Sequence, residues 1–290
     1  MNRLIRLLVA PLLFTATFAL AQTAPAAAPT PNPHPYTTLY VFGDSYSDSG
    51  SGYVDTNGLT AVAVLAQRLG IPFTYYGDPK YTPGVGLNFA ISGARTGEGP
   101  GRRYPTGEIL GYGMANQVAN FVTFSKAGNI PKIDPDNTMF FFAGGLNDRG
   151  TQPGYTRNNI EAEIDALYDL GGRRFMVALL PTKIPQFATA GTQFNPELSK
   201  IPDEERAKHS DIRISNSDWG PFLDEVITNP SKYGITDTKT PCAGRAFQHK
   251  DPTPCADPGT HFFYHEGHPS AAAHKAVGDM LYQEAITKAP

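Results

Sequence analysis

The chain has 290 residues, of which 40% are hydrophobic and 18% charged, with 26 Pro and 29 Gly. This composition excludes a collagen, a coiled coil and a wholly disordered protein. The formal net charge is −3 and no long Lys/Arg run occurs, so we expect no nucleic-acid partner. Two cysteines cannot supply a four-cysteine zinc site or a dense disulfide scaffold.

The N-terminus has the pattern of a secretory signal peptide. Two arginines precede an apolar run over 7–20, which ends in small residues before a predicted cleavage site after Ala21. The run is short for a membrane span and contains Pro11, which favours cleavage over an uncleaved anchor. The Ala/Pro-rich segment up to residue 36 is predicted to be a disordered spacer. We therefore expect a secreted or periplasmic protein with a signal peptide at 1–21, a spacer at 22–36, a single domain over 37–290 and no stable membrane insertion.

The middle of the chain alternates apolar runs with segments of helical spacing. The runs that predict buried strands, each followed by Gly or Pro, cover 38–42, 138–143 and 174–180. The segments that predict helices cover 59–69, 159–170 and 270–286. Strands separated by helices imply an α/β fold with a parallel sheet covered on both faces.

The polar, Pro- and Gly-rich segment 182–260 is harder to assign. We expect loops and short helices that cap one end of the sheet, with candidate helices within 195–214 and over 218–227. Cys242 and Cys255 lie in this segment, and export would place them in an oxidising compartment. A disulfide between them is therefore expected in preference to two buried thiols.

The first predicted strand leads directly into Gly43, Asp44 and Ser45. This order places Ser45 at the carboxyl edge of the sheet, where open α/β sheets bind their ligands. Gly43 lets the chain turn sharply and leaves room for a substrate, so Ser45 can present its hydroxyl as a nucleophile. The alternative is a strand-to-loop turn built from ordinary turn residues, and this segment alone does not separate the two.

Three further segments contain groups suited to acyl transfer. The second predicted strand leads into 144–148, where the side-chain amide of Asn147 can donate to an oxyanion. Gly93 has no Cβ, so a substrate oxygen can approach its backbone N–H. The segment 261–270 holds three of the seven histidines just before the last helix, a suitable mount for a general base such as His268. Each of these residues alone is common in turns, and only the combination indicates catalysis.

Together these segments resemble the four conserved blocks of the SGNH, or GDSL, hydrolase family. The matching blocks, in the order of the family, are Phe42-Gly43-Asp44-Ser45-Tyr46-Ser47-Asp48, Gly93, Gly145-Leu146-Asn147-Asp148 and His268-Pro269-Ser270. They span nearly the whole mature chain. The nearest resemblance is to the secreted lipase/acylhydrolase branch that includes thermolabile haemolysins and lecithinases, which 116–118, 174–181 and 229–234 also resemble.

The resemblance implies a three-layer α/β/α flavodoxin-like fold with a central parallel sheet of about five strands. It implies a serine esterase, with Ser45 as the nucleophile, His268 as the general base and no metal or organic cofactor. The oxyanion hole would consist of the backbone N–H groups of Ser45 and Gly93 and the side chain of Asn147.

Three acidic residues of these blocks are expected to support the loops. The resemblance suggests that Asp48 braces the Ser45 loop by hydrogen bonding. Asp44 and Asp148 are expected to do the same for their own turns.

One position departs from the family pattern. The family has Asp three residues before the catalytic His, and this chain has His265 there. The nearest acid is Glu266, shifted by one residue. The third group of such a site fixes the tautomer of the base and stabilises the imidazolium. The sequence leaves two alternatives open. One is a dyad in which His265, a backbone carbonyl or Asp257 orients His268. The other is a triad with the carboxylate of Glu266.

Three other functions remain open at this stage. The same residues would serve a periplasmic acyltransferase whose acceptor is a polysaccharide hydroxyl. Loss of the usual Asp would fit a non-catalytic binding module, although the other catalytic residue types are all present. The histidines at 261, 265 and 268 with Glu266 include metal-ligand types, but Gly267 argues against the helical His-Glu-x-x-His arrangement.

The substrate class follows only from charge and composition. The chain is acidic and has no amphipathic basic helix, which disfavours binding to anionic lipid surfaces. We therefore expect short-chain or acetyl esters of a sugar, choline or small alcohol first, and lipid esters second. The expected partner is a small-molecule, carbohydrate or lipid ester, and the chain is expected to be a monomer.

Overall fold

A parallel sheet between two layers of helices organises residues 36–288, the part of the chain that this computed structural model describes. The predicted signal peptide at 1–21 lies outside the described residues, as does the predicted spacer apart from its last residue, Tyr36. Tyr36 is fully buried in the core, one residue before the predicted start of the domain.

Ten strands and seven helices follow one another along the described chain. The strands are β1 (Thr38–Gly43), β2 (Phe73–Tyr75), β3 (Gly86–Asn88), β4 (Pro100–Arg103), β5 (Ile109–Tyr112), β6 (Thr138–Ala143), β7 (Arg174–Ala178), β8 (Arg213–Ser217), β9 (Phe263–His265) and β10 (His268–Pro269). The helices are α1 (Ala61–Arg68), α2 (Met114–Lys126), α3 (Pro153–Tyr168), α4 (Ala188–Leu198), α5 (Ile201–Lys208), α6 (Trp219–Thr228) and α7 (Ala271–Thr287). Short 3-10 helices cover Pro230–Tyr233, Ala246–Gln248 and Pro258–Thr260.

The central sheet has the order β2-β3-β1-β6-β7-β8, and every neighbouring pair is parallel. Helices α1 and α6 both pack against α7 in one layer, and α2, α4 and α5 pack against α3 in the other. The predicted three-layer α/β/α fold is confirmed, with six strands where about five were expected. The hairpins β4–β5 and β9–β10 are separate antiparallel pairs.

Burial explains the strongest strand pattern. All six residues of β6 are buried, because a central parallel strand has helices on both faces and neighbours on both sides. The ring of Phe140 stacks on that of Phe175 in β7 with 5.2 Å between centroids, and Phe42 of β1 stacks on Phe142. Burial of this apolar surface holds the sheet and its covering helices together.

The region over 182–260 is more regular than the sequence suggested. It contains α4, α5, the edge strand β8 and α6 in addition to loops. The helix expected within 195–214 is present as α5, although the end of α4 and the first residues of β8 also fall in that range. The helix expected over 218–227 is present as α6.

Two predictions about the environment of the chain can be compared with the structure. Cys242 and Cys255 form the expected disulfide, with their Cα atoms 4.8 Å apart. Within 36–288, none of the helices is both long enough and apolar enough to cross a bilayer.

Candidate active site

Three loops that follow neighbouring strands meet at the carboxyl edge of the sheet. Ser45 follows β1, Asn147 follows β6, and Gly93 lies in the loop after β3. Because β3, β1 and β6 are adjacent, the three segments come together where the chain changes direction across the sheet. Such a switch point is the usual ligand crevice of an open α/β sheet.

A close approach of backbone explains the glycine at the end of β1. A Cβ at Gly43 would lie 2.6 Å from the carbonyl oxygen of Ala143 on β6. Gln117 of α2 fixes the same residue, accepting from its N–H at 3.0 Å and donating to its carbonyl at 2.9 Å. The residue before the Ser45 turn is thus held on both sides, which sets the position of Ser45.

Ser45 and His268 are in contact, although 223 residues separate them. His268 is on β10, directly before α7, whose N-cap Ser270 accepts from the backbone N–H of Ala273. The Oγ of Ser45 lies 2.7 Å from Nε2 of His268, and the two residues are 6% and 3% exposed. A nucleophile in hydrogen-bond contact with a base is the starting geometry for acyl transfer.

The other ring nitrogen of His268 identifies the tautomer. Nδ1 lies 2.8 Å from the backbone carbonyl oxygen of Glu266, which can only accept, so Nδ1 carries the proton. Nε2 is then free to accept from the hydroxyl of Ser45. The group that contacts Nδ1 of His268 is therefore a backbone carbonyl, one of the alternatives that the sequence left open.

The three candidate orienting side chains make no hydrogen bond to the ring of His268 among the described residues. The carboxylate of Glu266 is 71% exposed and pairs with Lys250 at 2.7 Å, because the turn at Gly267 directs it to solvent. Asp257 is exposed. His265 is buried opposite His268 in the β9–β10 pair, but its Nδ1 contacts the carboxylate of Asp55, 3.1 Å away.

Asp55 and Arg245 were not identified from the sequence. Asp55 lies in the loop between β1 and α1, 2% exposed, with one carboxylate oxygen 3.7 Å from Nε2 of His268. Arg245 lies in the loop closed by the disulfide, and its Nε donates to Asp55 at 2.6 Å. Its Nη2 is 2.9 Å from both ring nitrogens of His268, so the guanidinium packs over the ring. Asp55 stands among ordinary turn residues, and no sequence signal marks it.

Burial and charge act in opposite directions on this cluster. Burial lowers the pKa of His268 to about 4, Asp55 opposes that shift and Arg245 adds to it. Burial alone would raise the pKa of Asp55, but His268, His265 and Arg245 bring it down to about 2. At neutral pH the imidazole of His268 is therefore neutral and Asp55 is ionised.

The predicted oxyanion groups lie in the loops after β3 and β6, at the same edge of the sheet as Ser45. Gly93 is exposed and has a φ of 77°, in the left-handed region that favours glycine. The side-chain amide of Asn147 is half-buried and donates to the carbonyl of Ala94 at 2.9 Å. That bond ties the two loops together and leaves the second amide hydrogen of Asn147 for another acceptor.

The three predicted supporting acids are all fully buried and hydrogen-bonded. Asp44 accepts from the N–H of Tyr46 in its own turn. Asp48 accepts from the N–H groups of Gly50, Gly52 and Ser92, and so joins the Ser45 loop to the Gly93 loop. Asp148 accepts from Thr96 and Thr156 instead of bracing its own turn.

The metal alternative has no support in the geometry. Of the residues that the structure describes, only Asp165, Glu205 and His209 place three ligand atoms within 4.8 Å of one another. His261 contacts the carbonyl of Thr240, whereas His265 and His268 both lie near the carboxylate of Asp55.

Comparison with known proteins identifies the family. The model of the GDSL-like Lipase/Acylhydrolase family matches residues 39–281. GDSL esterase/lipase At2g36325 of Arabidopsis thaliana is 24% identical over 313 residues, covering 84% of this chain and 86% of the relative. GDSL esterase/lipase At1g29660 of the same plant is 29% identical over 144 residues, covering 41% of this chain and 39% of the relative.

A solved structure with a related description is a member of the lipolytic protein G-D-S-L family from Veillonella parvula. It is 13% identical, with a TM-score of 0.44, and the match covers 85% of this chain and 96% of that one. The family model spans most of the chain and includes all four sequence blocks. The chain therefore belongs to the GDSL-like lipase/acylhydrolase family and is a carboxylic ester hydrolase.

Proposed function

We propose that the protein is a serine esterase that works through an acyl-enzyme on Ser45, with His268 as its general base. The observation that carries the proposal is the 2.7 Å contact between Oγ of Ser45 and Nε2 of His268. The bond from Nδ1 of His268 to the carbonyl of Glu266 supports it, because it leaves Nε2 unprotonated.

In the acylation step, Oγ of Ser45 attacks the ester carbonyl carbon while its proton passes to Nε2 of His268. The carbonyl oxygen becomes an oxyanion, which accepts from the N–H groups of Ser45 and Gly93 and the amide of Asn147. Collapse of the tetrahedral intermediate breaks the bond to the alcohol oxygen, which takes the proton from Nε2. The alcohol leaves and the acyl group stays on Ser45.

Water completes the cycle by the same route. It gives a proton to Nε2 of His268 and attacks the acyl carbon, and the second oxyanion uses the same donors. When this intermediate collapses, Oγ of Ser45 leaves and recovers its proton from Nε2. The products are one alcohol and one carboxylic acid, and the enzyme returns to its initial state.

Short-chain or acetyl esters are the proposed first substrates and lipid esters the second. Limited access to Ser45 supports this order, since only 6% of the residue is exposed. The buried rings of Tyr46 and Phe187 pack against His268, with centroids 5.3 and 5.9 Å from its own, and limit the movement of the imidazole. A small acyl group enters such a site with less rearrangement than a long chain.

We also propose that the protein is exported. The sequence pattern over 1–21 and the Cys242–Cys255 disulfide support this, because disulfides persist mainly in oxidising compartments. Cell fractionation followed by mass measurement tests it. A mature chain that begins after Ala21 in the periplasm or medium is expected, and a full-length chain in the cytoplasm would contradict it.

The test of the catalytic proposal compares the purified protein with its Ser45→Ala variant. Hydrolysis of p-nitrophenyl acetate, butyrate, octanoate and palmitate is measured with and without a chelator. Removal of the nucleophile is expected to lower kcat by about 10⁴-fold or more, since only binding and the oxyanion donors remain. The chelator is expected to have no effect.

The chain-length series decides the substrate class. Highest kcat/KM on acetate or butyrate supports the proposed order, and highest kcat/KM on palmitate reverses it. Adding a sugar acceptor and identifying the products tests acyl transfer by the same residues. Hydrolysis that Ser45→Ala leaves intact would contradict the mechanism.

A further inference from the structure

We propose that Asp55 is the positioning residue of this site and supplies the negative charge that position 265 lacks. The inference rests on the proposed function of Ser45 and His268. In a Ser-His-Asp triad one carboxylate both fixes the tautomer of the base and stabilises its protonated form. Here the two tasks are divided, since the carbonyl of Glu266 holds the ring and Asp55 provides the charge.

The contacts of Asp55 hold its carboxylate against the base. Arg245 donates to it at 2.6 Å, Ser92 donates through Oγ at 2.9 Å, and Nδ1 of His265 lies 3.1 Å away. With these partners the side chain is 2% exposed, and one of its oxygens lies 3.7 Å from Nε2 of His268. The position of the carboxylate is thus fixed from three directions.

His265 links the carboxylate of Asp55, from the loop after β1, to the segment that carries His268. The family's sequence pattern puts the acid itself at this position. In this chain His265 occupies it and contacts Asp55, which comes from the loop after β1, 210 residues earlier. The ring of Tyr53 stacks on His265 with 5.7 Å between centroids and keeps it in place. The carboxylate is thereby restored to the site by a residue distant in sequence.

Asp55 favours the reaction by two electrostatic effects. When His268 takes the proton of Ser45, it becomes a buried cation beside the carboxylate, and the attraction lowers the energy of that state. The guanidinium of Arg245 lies over the same ring and opposes protonation. Asp55 pairs with Arg245 and offsets that repulsion.

The other ionisable groups around His268 do not supply a negative charge that could replace that of Asp55. Burial raises the pKa of Asp44 to about 8, so it is largely neutral at pH 7. Burial lowers the pKa of His274 to about 3, so it is neutral as well. Glu266 is paired with Lys250 at the surface, Asp48 is bonded to three backbone N–H groups, and Tyr46 is un-ionised.

The test replaces Asp55 with Asn, a nearly isosteric residue without charge, and measures kcat, KM and the pH profile on p-nitrophenyl acetate. We expect kcat to fall by about 10²- to 10⁴-fold with a much smaller change in KM. The acidic limb of kcat/KM is expected to move to lower pH, because the pKa of His268 falls further without its anion. A loss of fold stability alone would not move the limb in that direction.

Two further variants separate charge from structure. Arg245→Ala removes the opposing cation, so the acidic limb is expected to move to higher pH. Asp55→Gly leaves a small space, and added formate is expected to restore part of its kcat without changing that of Ser45→Ala. Asp279→Asn is the matched control: it removes a carboxylate that pairs with Arg68 at the same distance, 2.6 Å, but on the surface.

The outcomes distinguish this inference from the proposed function. If Asp55→Asn folds and keeps kcat within tenfold of the parent with an unmoved acidic limb, the role of Asp55 is refuted. If Asp55→Asn does not fold, an unmoved limb in Arg245→Ala together with no formate rescue of Asp55→Gly refutes it. If Ser45→Ala retains full activity, the proposed mechanism itself fails, whatever the Asp55 variants do.

Discussion

Asn147 joins two loops and also carries the proposed side-chain donor to the oxyanion. Its amide is held at 2.9 Å from the carbonyl of Ala94, so the donor is oriented before substrate arrives. Preorganised donors of this kind act mainly on the transition state, where the negative charge develops. We expect Asn147→Ala to lower kcat by about 10²- to 10³-fold and to change KM far less.

Steady-state kinetics with p-nitrophenyl acetate checks this expectation, with Asn158→Ala as the control because Asn158 is exposed on α3. A thermal unfolding curve for each variant shows whether loss of the bond to Ala94 has destabilised the loops. An Asn147→Ala variant that keeps its fold and its kcat would remove Asn147 from the oxyanion hole.

Some residues of the candidate site could be predicted from the sequence and others could not. Ser45, Asn147 and His268 belong to short blocks that resemble those of the family and follow its order, so the resemblance predicts them as a set. Asp55 and Arg245 could not, because their contact with His268 arises only when a turn and a disulfide-closed loop fold onto one ring. Neither the type nor the spacing of these residues predicts their contact with His268.

At the scale of elements, the disulfide-closed loop connects Arg245 to the site. Arg245 lies three residues after Cys242, and the loop is also held by bonds from Cys242 and Ala243 to β9. The loop closed by the disulfide spans a separation of 13 residues. In the chain-entropy model a closure of that size contributes about 3 kcal/mol to the free energy of unfolding.

Replacing both cysteines by Ser is therefore expected to lower the free energy of unfolding by about 3 kcal/mol. The bonds to β9 remain, so we expect kcat/KM to fall less than in Asp55→Asn. Urea unfolding and kinetics measure the two effects, and a reductant should destabilise the parent but leave the double variant unchanged. A parent insensitive to full reduction would contradict this account.

Elements with a strong apolar pattern were predicted well, and polar ones were not. β6 has the predicted bounds, 138–143, because its run Met-Phe-Phe-Phe is apolar on both faces and is buried from water on both faces of the sheet. β8 has the sequence Arg-Ile-Ser-Asn-Ser and was missed, because an edge strand with half-buried residues need not be apolar. β2 and β3 have three residues each, too few for any periodicity to appear.

At the scale of the whole molecule, the order of the strands in the sheet places the loops of the candidate site next to one another. β1 lies between β3 and β6, so three loops far apart in the chain open at one edge. A sequence with alternating strands and helices predicts a parallel sheet but not the order of its strands, which depends on how the crossovers pack. The resemblance to the family predicted which residues form one site, but the order of the six strands comes from the structure alone.

Buried ionisable groups distributed through the molecule predict how its stability depends on pH. Burial raises the pKa of Asp44 to about 8 and holds that of Glu163 well above its usual range. A folded state that keeps such protons loses stability as pH rises from about 4 through the folded pKa. Burial lowers the pKa of His268 to about 4 and of His274 to about 3, so their contributions are lost as pH falls below about 6.5.

Above about pH 7.5 these histidines are neutral in the folded and the unfolded state, and the two carboxyls make the free energy of unfolding fall with pH. Each contributes a slope of up to about 1.4 kcal/mol per pH unit. Glu163 is the better group to test, because it lies on α3, outside the candidate site, and neither of its carboxyl oxygens has a hydrogen-bond partner among the described residues. Glu163→Gln removes the titrating group. In urea unfolding from pH 6 to 8.5, we expect the free energy of unfolding of the variant to depend less on pH than that of the parent. The stability of the variant relative to the parent should therefore increase as pH rises. Parallel curves for the two proteins would mean that the Glu163 carboxyl finds a partner or solvent that keeps its pKa near the ordinary range.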